Sequence, residues 1–204
     1  MLKLSNFNLS IKNKKLLTDV NVEFSNGKIN HILGKNGVGK SIFAKYLMLN
    51  NENITVIGSY SNVPEDITFS ELKKVLIKKF GRDQVERLCS ILNISNIDEK
   101  TVLKKLSDGQ RQKIKIIVFL LFDKDIIILD EVTNALDKTT QNEIYDLFHT
   151  YIKRNPEKVI LNITHNLSDL NSMDGEYFLF EEYDIKKYSS RKELIDLYIH
   201  GGTQ

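Results

Sequence analysis

Gly34-Lys35-Asn36-Gly37-Val38-Gly39-Lys40-Ser41 fits the pattern GxxxxGK[ST] and stands between an apolar segment ending at Leu33 and a helix-like run over residues 42–49. A strand before and a helix after mark a phosphate-binding loop rather than an ordinary glycine turn. The glycines permit backbone angles that turn successive N–H groups toward one point. There they meet the positive end of the following helix and can hold a polyphosphate. Lys40 then reaches the β- and γ-phosphates and Ser41 ligates Mg²⁺, with Gly34, Asn36, Gly37, Gly39 and Ile42 completing the cradle.

The chain has 204 residues, 41% of them apolar, which is enough for one domain, 1–204, with a real core. The net charge is +2 and the lysines are interspersed with acids, so no basic block implies nucleic acid as a partner. The single cysteine, Cys89, lies in a helix-like apolar pattern. It reads as a small buried hydrophobe and suits a reducing compartment. The most apolar run, residues 116–122, is far shorter than the roughly twenty residues of a membrane span. The N-terminus alternates polar and apolar residues without the apolar stretch of a secretory signal. The expectation is a cytoplasmic protein that reaches a membrane only through a partner.

Strand-like and helix-like segments alternate. Leu2–Ile11 and residues 20–24 alternate apolar and polar side chains, which predicts half-exposed strands of an antiparallel part, and Ile29–Leu33 leads into the loop. Residues 126–129 and 159–163 are nearly continuous β-branched or leucine runs, the kind buried on both faces of a parallel sheet. Between them Ile144, Leu147, Phe148, Tyr151 and Ile152 form one apolar helix face. Earlier, Thr68 and Glu71 have capping-box spacing ahead of a helix to about Phe80; Gly81 breaks it, and Asp83 with Glu86 marks a second helix through Leu92. Segment 64–106 is therefore helical, and with the helix after it forms a small inserted α-helical subdomain over about 64–122. A last capping box, Ser190 to Glu193, opens a C-terminal helix. The fold class expected is α/β: a P-loop NTPase core with a mostly parallel sheet, an N-terminal antiparallel β part and the inserted helices.

The run Ile126-Ile127-Ile128-Leu129-Asp130-Glu131 delivers two adjacent carboxylates at the end of a buried strand. Two acids there suit two jobs, one beside Mg²⁺ and one beside water. Leu106-Ser107-Asp108-Gly109-Gln110 precedes a long helix-like run, with Ser107 as N-cap and bare N–H groups that can bind an anion. LSDGQ differs by one residue from LSGGQ, and ahead of such a strand it resembles the signature motif of the ABC ATPase family. The resemblance extends through the phosphate loop, LSDGQRQ, IIILDE, the Asn134-Ala135-Leu136-Asp137 turn, which is similar to the D-loop of that family, and Thr164-His165, which is similar to its switch histidine. It implies ATP and Mg²⁺ as ligands, with Ser41 and Asp130 at the metal. Lys40, Glu131 and His165 carry the catalysis it implies: Lys40 holds phosphate, Glu131 orients or activates the attacking water and His165 contacts the γ-phosphate. It further implies that Ser107, Gly109 and Gln110 contact ATP held by a second nucleotide-binding domain, and that Asp137 reaches across the same interface.

Four departures from the family pattern bear on function. The aromatic residue that stacks on adenine is replaced at the best-aligned position by Ile11, whose contact is weaker and apolar. The glutamine that couples the nucleotide site to the transport subunit has Asn62, one methylene shorter, as its nearest candidate and a potential metal neighbour. Asp108 puts a carboxylate near a position that receives phosphate; it suits the helix dipole but opposes the anion. The strand hairpin that usually follows the first helix is expected to be trimmed. The resemblance implies the ATP-binding and ATP-hydrolysing subunit of a membrane ABC transporter, a homodimer or heterodimer at the inner face of the cell membrane. It would drive a separately encoded integral membrane permease, with a lean toward export of peptides or drugs. The alternative is a soluble ABC-type ATPase switch acting on nucleic acid or ribosomes. Such switches usually carry paired nucleotide domains, a long coiled coil or basic extensions, features this sequence lacks. A small-molecule kinase leaves LSDGQ unexplained.

Overall fold

Ile126, Ile127, Ile128 and Leu129 are buried on both faces of a central strand, and the computed structural model, which describes residues 1–200, is built around it. The last four residues of the 1–204 domain expectation lie outside the described residues. In chain order the elements are β1 (Leu2–Ile11), β2 (Lys14–Phe24), β3 (Ile29–Leu33), α1 (Lys40–Asn50), β4 (Ile54–Ile57), α2 (Phe69–Phe80), α3 (Arg82–Ile91), a 3₁₀ turn (Leu103–Lys105), α4 (Asp108–Leu120), β5 (Ile126–Asp130), α5 (Lys138–Arg154), β6 (Val159–Thr164), α6 (Leu167–Ser172), β7 (Gly175–Phe180), β8 (Ile185–Tyr188) and α7 (Arg191–His200). Six strands form one sheet in the order β4-β5-β6-β3-β7-β8, all parallel except β8 at the edge, and β1 with β2 forms a separate antiparallel ribbon. This is the α/β class read from the sequence.

Strand order decides where chemistry can occur. β6 lies between β5 and β3, with Asp130 opposite Ile163 and Leu33 opposite Thr164. The three strands therefore end side by side, and their C-terminal loops carry the phosphate loop, Glu131 and His165 to one edge of the sheet. Alternate side chains hold the layers apart. Ile127 and Leu129 enter a core shared with α2, α3, α4 and α5, whereas Ile126 and Ile128 enter a second core with α1 and the ribbon. The helix face expected on α5 is present: Ile144, Leu147, Phe148 and Ile152 are buried, and Tyr151 is half-buried. Cys89 is buried in the helical core, where desolvation pushes its thiol up to about 11, so it is an inert hydrophobe.

The caps follow the sequence pattern. Thr68 accepts from the Glu71 N–H while the Glu71 carboxylate accepts from the Thr68 N–H, a reciprocal capping box at α2. At α7 the pairing is shifted: Glu193 N–H donates to Ser190 Oγ, but the Glu193 carboxylate takes its return bonds from Ser189. One strand expectation needs correction. β2 begins at Lys14, well before residue 20, because it pairs with β1 from the Ile11–Lys14 end of the ribbon; within the pair Asn6 and Asp19 adopt left-handed φ angles of 48° and 53° that Asn and Asp tolerate. Their neighbours Asn8 and Asn21 repair the broken ladder with side-chain hydrogen bonds. After α1 comes one short strand, Ile54–Ile57 (β4), which pairs in parallel with β5 and forms no hairpin.

β3 carries a buried histidine that makes folding sensitive to pH. His31 Nε2–H donates to the Met173 carbonyl at 2.9 Å, so Nδ1 is the acceptor and takes an N–H of Asn162 at 3.1 Å. The ring also stacks on Tyr177. Burial, the largest influence, pushes the imidazole down from 6.5 to about 4. Its folded value lies below its unfolded value, so between the two the unfolded chain binds a proton that the folded chain refuses. Stability should fall by about 3 kcal/mol as pH drops from about 6.5 to about 4. Urea midpoints compared at about pH 7.5 and about pH 5 should show the drop in the wild type and lose it in His31→Gln; equal drops in both would remove His31 as the cause.

Candidate active site

The phosphate loop has the backbone its glycines were expected to allow. Gly37 and Gly39 take φ angles of 79° and 117°, and a Cβ on Gly34 would come within 2.8 Å of the Phe180 carbonyl oxygen. Gly39 caps α1 without a side-chain hydrogen bond, which leaves the first N–H groups of that helix bare for an anion. Lys40 is only 5% exposed, and its ammonium donates to the carbonyls of Gly34 at 2.7 Å and Lys35 at 3.0 Å. A third donor remains. Burial lowers the Lys40 pKa, and Glu131 and Asp130 pull it back up. Asn36, Ser41 and Ile42 are exposed on the loop and the first turn of α1.

The two acids stand in different surroundings. Asp130 is buried, and its Oδ1 has no hydrogen-bond partner among the described residues. Desolvation raises its pKa, opposed first by the Ser41 hydroxyl. Glu131 takes a φ of 56°, a left-handed angle costly for a side chain of this kind, while its N–H still donates to Ile163 at 2.9 Å. That twist aims the carboxylate sideways. Glu131 Oε2 accepts from Asn134 at 2.8 Å, and Oε1 accepts from His165 Nδ1 at 2.9 Å. Ser41, Asp130, Glu131 and Asn134 line one cavity of about 280 Å³ together with Gly58 and Lys115. Residues from four separate parts of the chain thus converge on one polar hollow.

Other expected residues stand elsewhere. Asn62 does not line this cavity; it is exposed and borders a different hollow with Arg111 and Glu65, and Ser59 stands in the catalytic cavity in its place. The turn Gly58–Ser61 is closed by the Ser61 hydroxyl on the Val56 carbonyl at 2.5 Å, and Lys115 borders both hollows. Ile11 ends β1 at the tip of the ribbon, 38% exposed. A cavity of about 600 Å³ beside Asn36 and Val38 is lined by Leu16, Phe180 and Tyr198 instead. Ser107 caps α4 in a capping box with Gln110. Gly109 packs so tightly on Thr140 that a Cβ would lie 2.9 Å from its hydroxyl. These three residues lie at the N-terminus of α4 and do not line the catalytic cavity. Asp137 is committed to its own chain, accepting from the Thr140 N–H and hydroxyl at 2.9 and 2.7 Å, bonds that hold its carboxyl below the usual range. The Asp108 carboxylate is met by the Arg111 guanidinium, which also donates to the carbonyls of Lys104 and Leu106. Its charge is therefore compensated within the turn.

Three supporting groups escaped sequence reading. Asn134 was visible only as part of a turn, yet it holds Glu131. Asp169, fully buried, accepts from the hydroxyls of Thr133 at 2.8 Å and Tyr145 at 2.7 Å, tying the segment after Glu131 to α5 and to the helix that follows His165. A polar residue at a core position of the α6 pattern was its only signal. Lys115, on α4, donates to the Gly58 carbonyl at 3.1 Å.

The family model described as ABC transporter matches residues 17–134, which spans the phosphate loop, the signature turn and both acids. A Bacillus subtilis (strain 168) protein described as a probable peptide export ATP-binding protein is 47% identical over 98% of this chain and 100% of its own length. An energy-coupling factor transporter ATP-binding protein of Thermotoga maritima is 29% identical over 78% of this chain and 70% of its own. Among solved structures, an ATP binding subunit of an ABC transporter superposes with a TM-score of 0.77 at 16% identity, covering 98% of this chain and 92% of that one. With half its length and more matched by the family model, the chain belongs to the ABC transporter family as one of its ATP-binding subunits.

Proposed function

We propose that the chain binds and hydrolyses ATP as one subunit of a dimer that drives a separate membrane permease exporting peptides. The observation that carries hydrolysis is the Glu131 carboxylate, held between Asn134 and His165 at the cavity that Ser41 and Asp130 share. The peptide class rests on the Bacillus subtilis relative, which matches over nearly the whole of both chains. Bare N–H groups of the loop and α1, with the Lys40 ammonium, bind the polyphosphate. The unpartnered Asp130 Oδ1 and the Ser41 hydroxyl are hard oxygen donors that fit Mg²⁺, which when bound would shield the charge of the terminal phosphates. Glu131 takes a proton from water as its oxygen attacks the γ-phosphorus, and the bond to the β,γ-bridging oxygen breaks with its electrons leaving on ADP. His165 donates to Glu131 through Nδ1, so its Nε2 offers a hydrogen to the phosphate only in the imidazolium form. Among the described residues no helix is long and apolar enough to cross a membrane.

The permease contact is assigned to α2 and the turn before it. Glu71, Lys74 and Val75 are exposed there, Val75 by 61%. Cysteines at these three positions should crosslink to a multi-span membrane protein whose presence changes the ATPase rate. Crosslinks to ribosomal proteins or nucleic acid instead would favour the soluble switch.

A further inference from the structure

α4 begins at the Ser107 turn, and one to two turns further on it brings Lys115 to the cavity of Ser41, Asp130 and Glu131. The Lys115 side chain is half-buried, and its ammonium makes one hydrogen bond, to the Gly58 carbonyl at 3.1 Å. Gly58 in turn lies against Asp130, close enough that a Cβ would stand 3.1 Å from the Asp130 Cβ. No carboxylate lies within ion-pair distance of Lys115 among the described residues, although two carboxylates line the same hollow. A partly desolvated cation with two unused donors is costly unless an anion completes it. Its pKa is lowered by that burial, with Glu65 pulling it up and Arg111 pushing it down.

We propose that Lys115, which lines the cavity of Ser41, Asp130 and Glu131 where Asn62 does not, binds the terminal phosphate of ATP held in the same subunit. This rests on the ATP-hydrolysing function proposed above. One consequence is mechanical: α4 then carries a sensor for its own ATP on its flank and, at its N-terminus, the Ser107 turn that faces the ATP of the second subunit. Loss of the γ-phosphate would release Lys115 and free α4 to tilt away from the cavity.

The test uses ATP and ADP as probes, each with Mg²⁺, bound to full-length Glu131→Gln protein by calorimetry. Adding Lys115→Met should weaken ATP by about tenfold or more, the loss of one charge-assisted contact, and leave ADP within about twofold. Lys115→Arg should recover a substantial part of the ATP affinity. A residue that merely shields apolar surface would shift both nucleotides together, so an unchanged ATP-to-ADP ratio in Lys115→Met overturns the proposal. If the Glu131→Gln parent binds neither nucleotide, the functional reading itself fails, and this proposal with it; unaltered ADP binding shows that the variant is folded.

Discussion

Replacing Glu131 by Gln should lower ATP hydrolysis by about a hundred- to ten-thousandfold while ATP binding stays near the wild-type level. The substitution keeps length and planarity, and the side-chain oxygen can still accept from Asn134 or His165. It removes the negative charge that draws a proton from water. Affinity depends on other groups: the loop amides, Lys40 and the oxygens of Ser41 and Asp130. Lys40→Ala should therefore show the opposite pattern, losing binding itself, because a buried ammonium with a donor to spare inside the loop is replaced by a methyl group. Single-turnover hydrolysis and equilibrium nucleotide binding, measured on both variants, separate the two outcomes. A Glu131→Gln protein that turned over at the wild-type rate would remove Glu131 from the chemistry and leave its left-handed backbone without a purpose.

The parts of this site that were legible in the sequence are those in which neighbouring residues act together. The phosphate loop and the IIILDE strand are contiguous, and each encodes its own backbone: glycines where φ is positive, and β-branched residues where both faces are buried. The strand order that joins them required only that parallel strands end in loops at one edge. What stayed hidden is held by long-range contacts. Asp169 meets Thr133 and Tyr145 across three elements, and no spacing rule connects them. Lys115 reaches Gly58 across more of the chain still. The misplacement of Asn62 has a physical origin too: aligned by position it falls where a metal neighbour belongs, but the Gly58–Ser61 turn, pinned by Ser61, diverts it. β4 and β8 have only four residues each, and their partners in the sheet make them strands.

The largest effect outside the chemistry is expected at Ser107. Its hydroxyl and the Gln110 side chain cap α4 reciprocally, so the first N–H groups of the helix are ordered and the turn is exposed. Asp108, at first sight a charge opposed to phosphate, is neutralised by Arg111 on the same turn and leaves the surface receptive to an anion. Ser107 and Gly109 do not line their own chain's catalytic cavity, which fits the proposal that the ATP they touch is held by a second subunit. Glu131→Gln protein should accordingly be monomeric without nucleotide and dimeric with ATP and Mg²⁺ in analytical ultracentrifugation. Adding Ser107→Arg should abolish the dimer, since the long side chain occupies the space of the incoming phosphate, while each monomer still binds ATP at its own loop. Loss of the cap costs about 1 kcal/mol at one helix end, too little to unfold the chain. Ser107→Thr, which keeps the capping hydroxyl, should still dimerise. An ATP-dependent dimer that survived Ser107→Arg would place the second-subunit contact elsewhere and leave the signature turn as a helix cap alone.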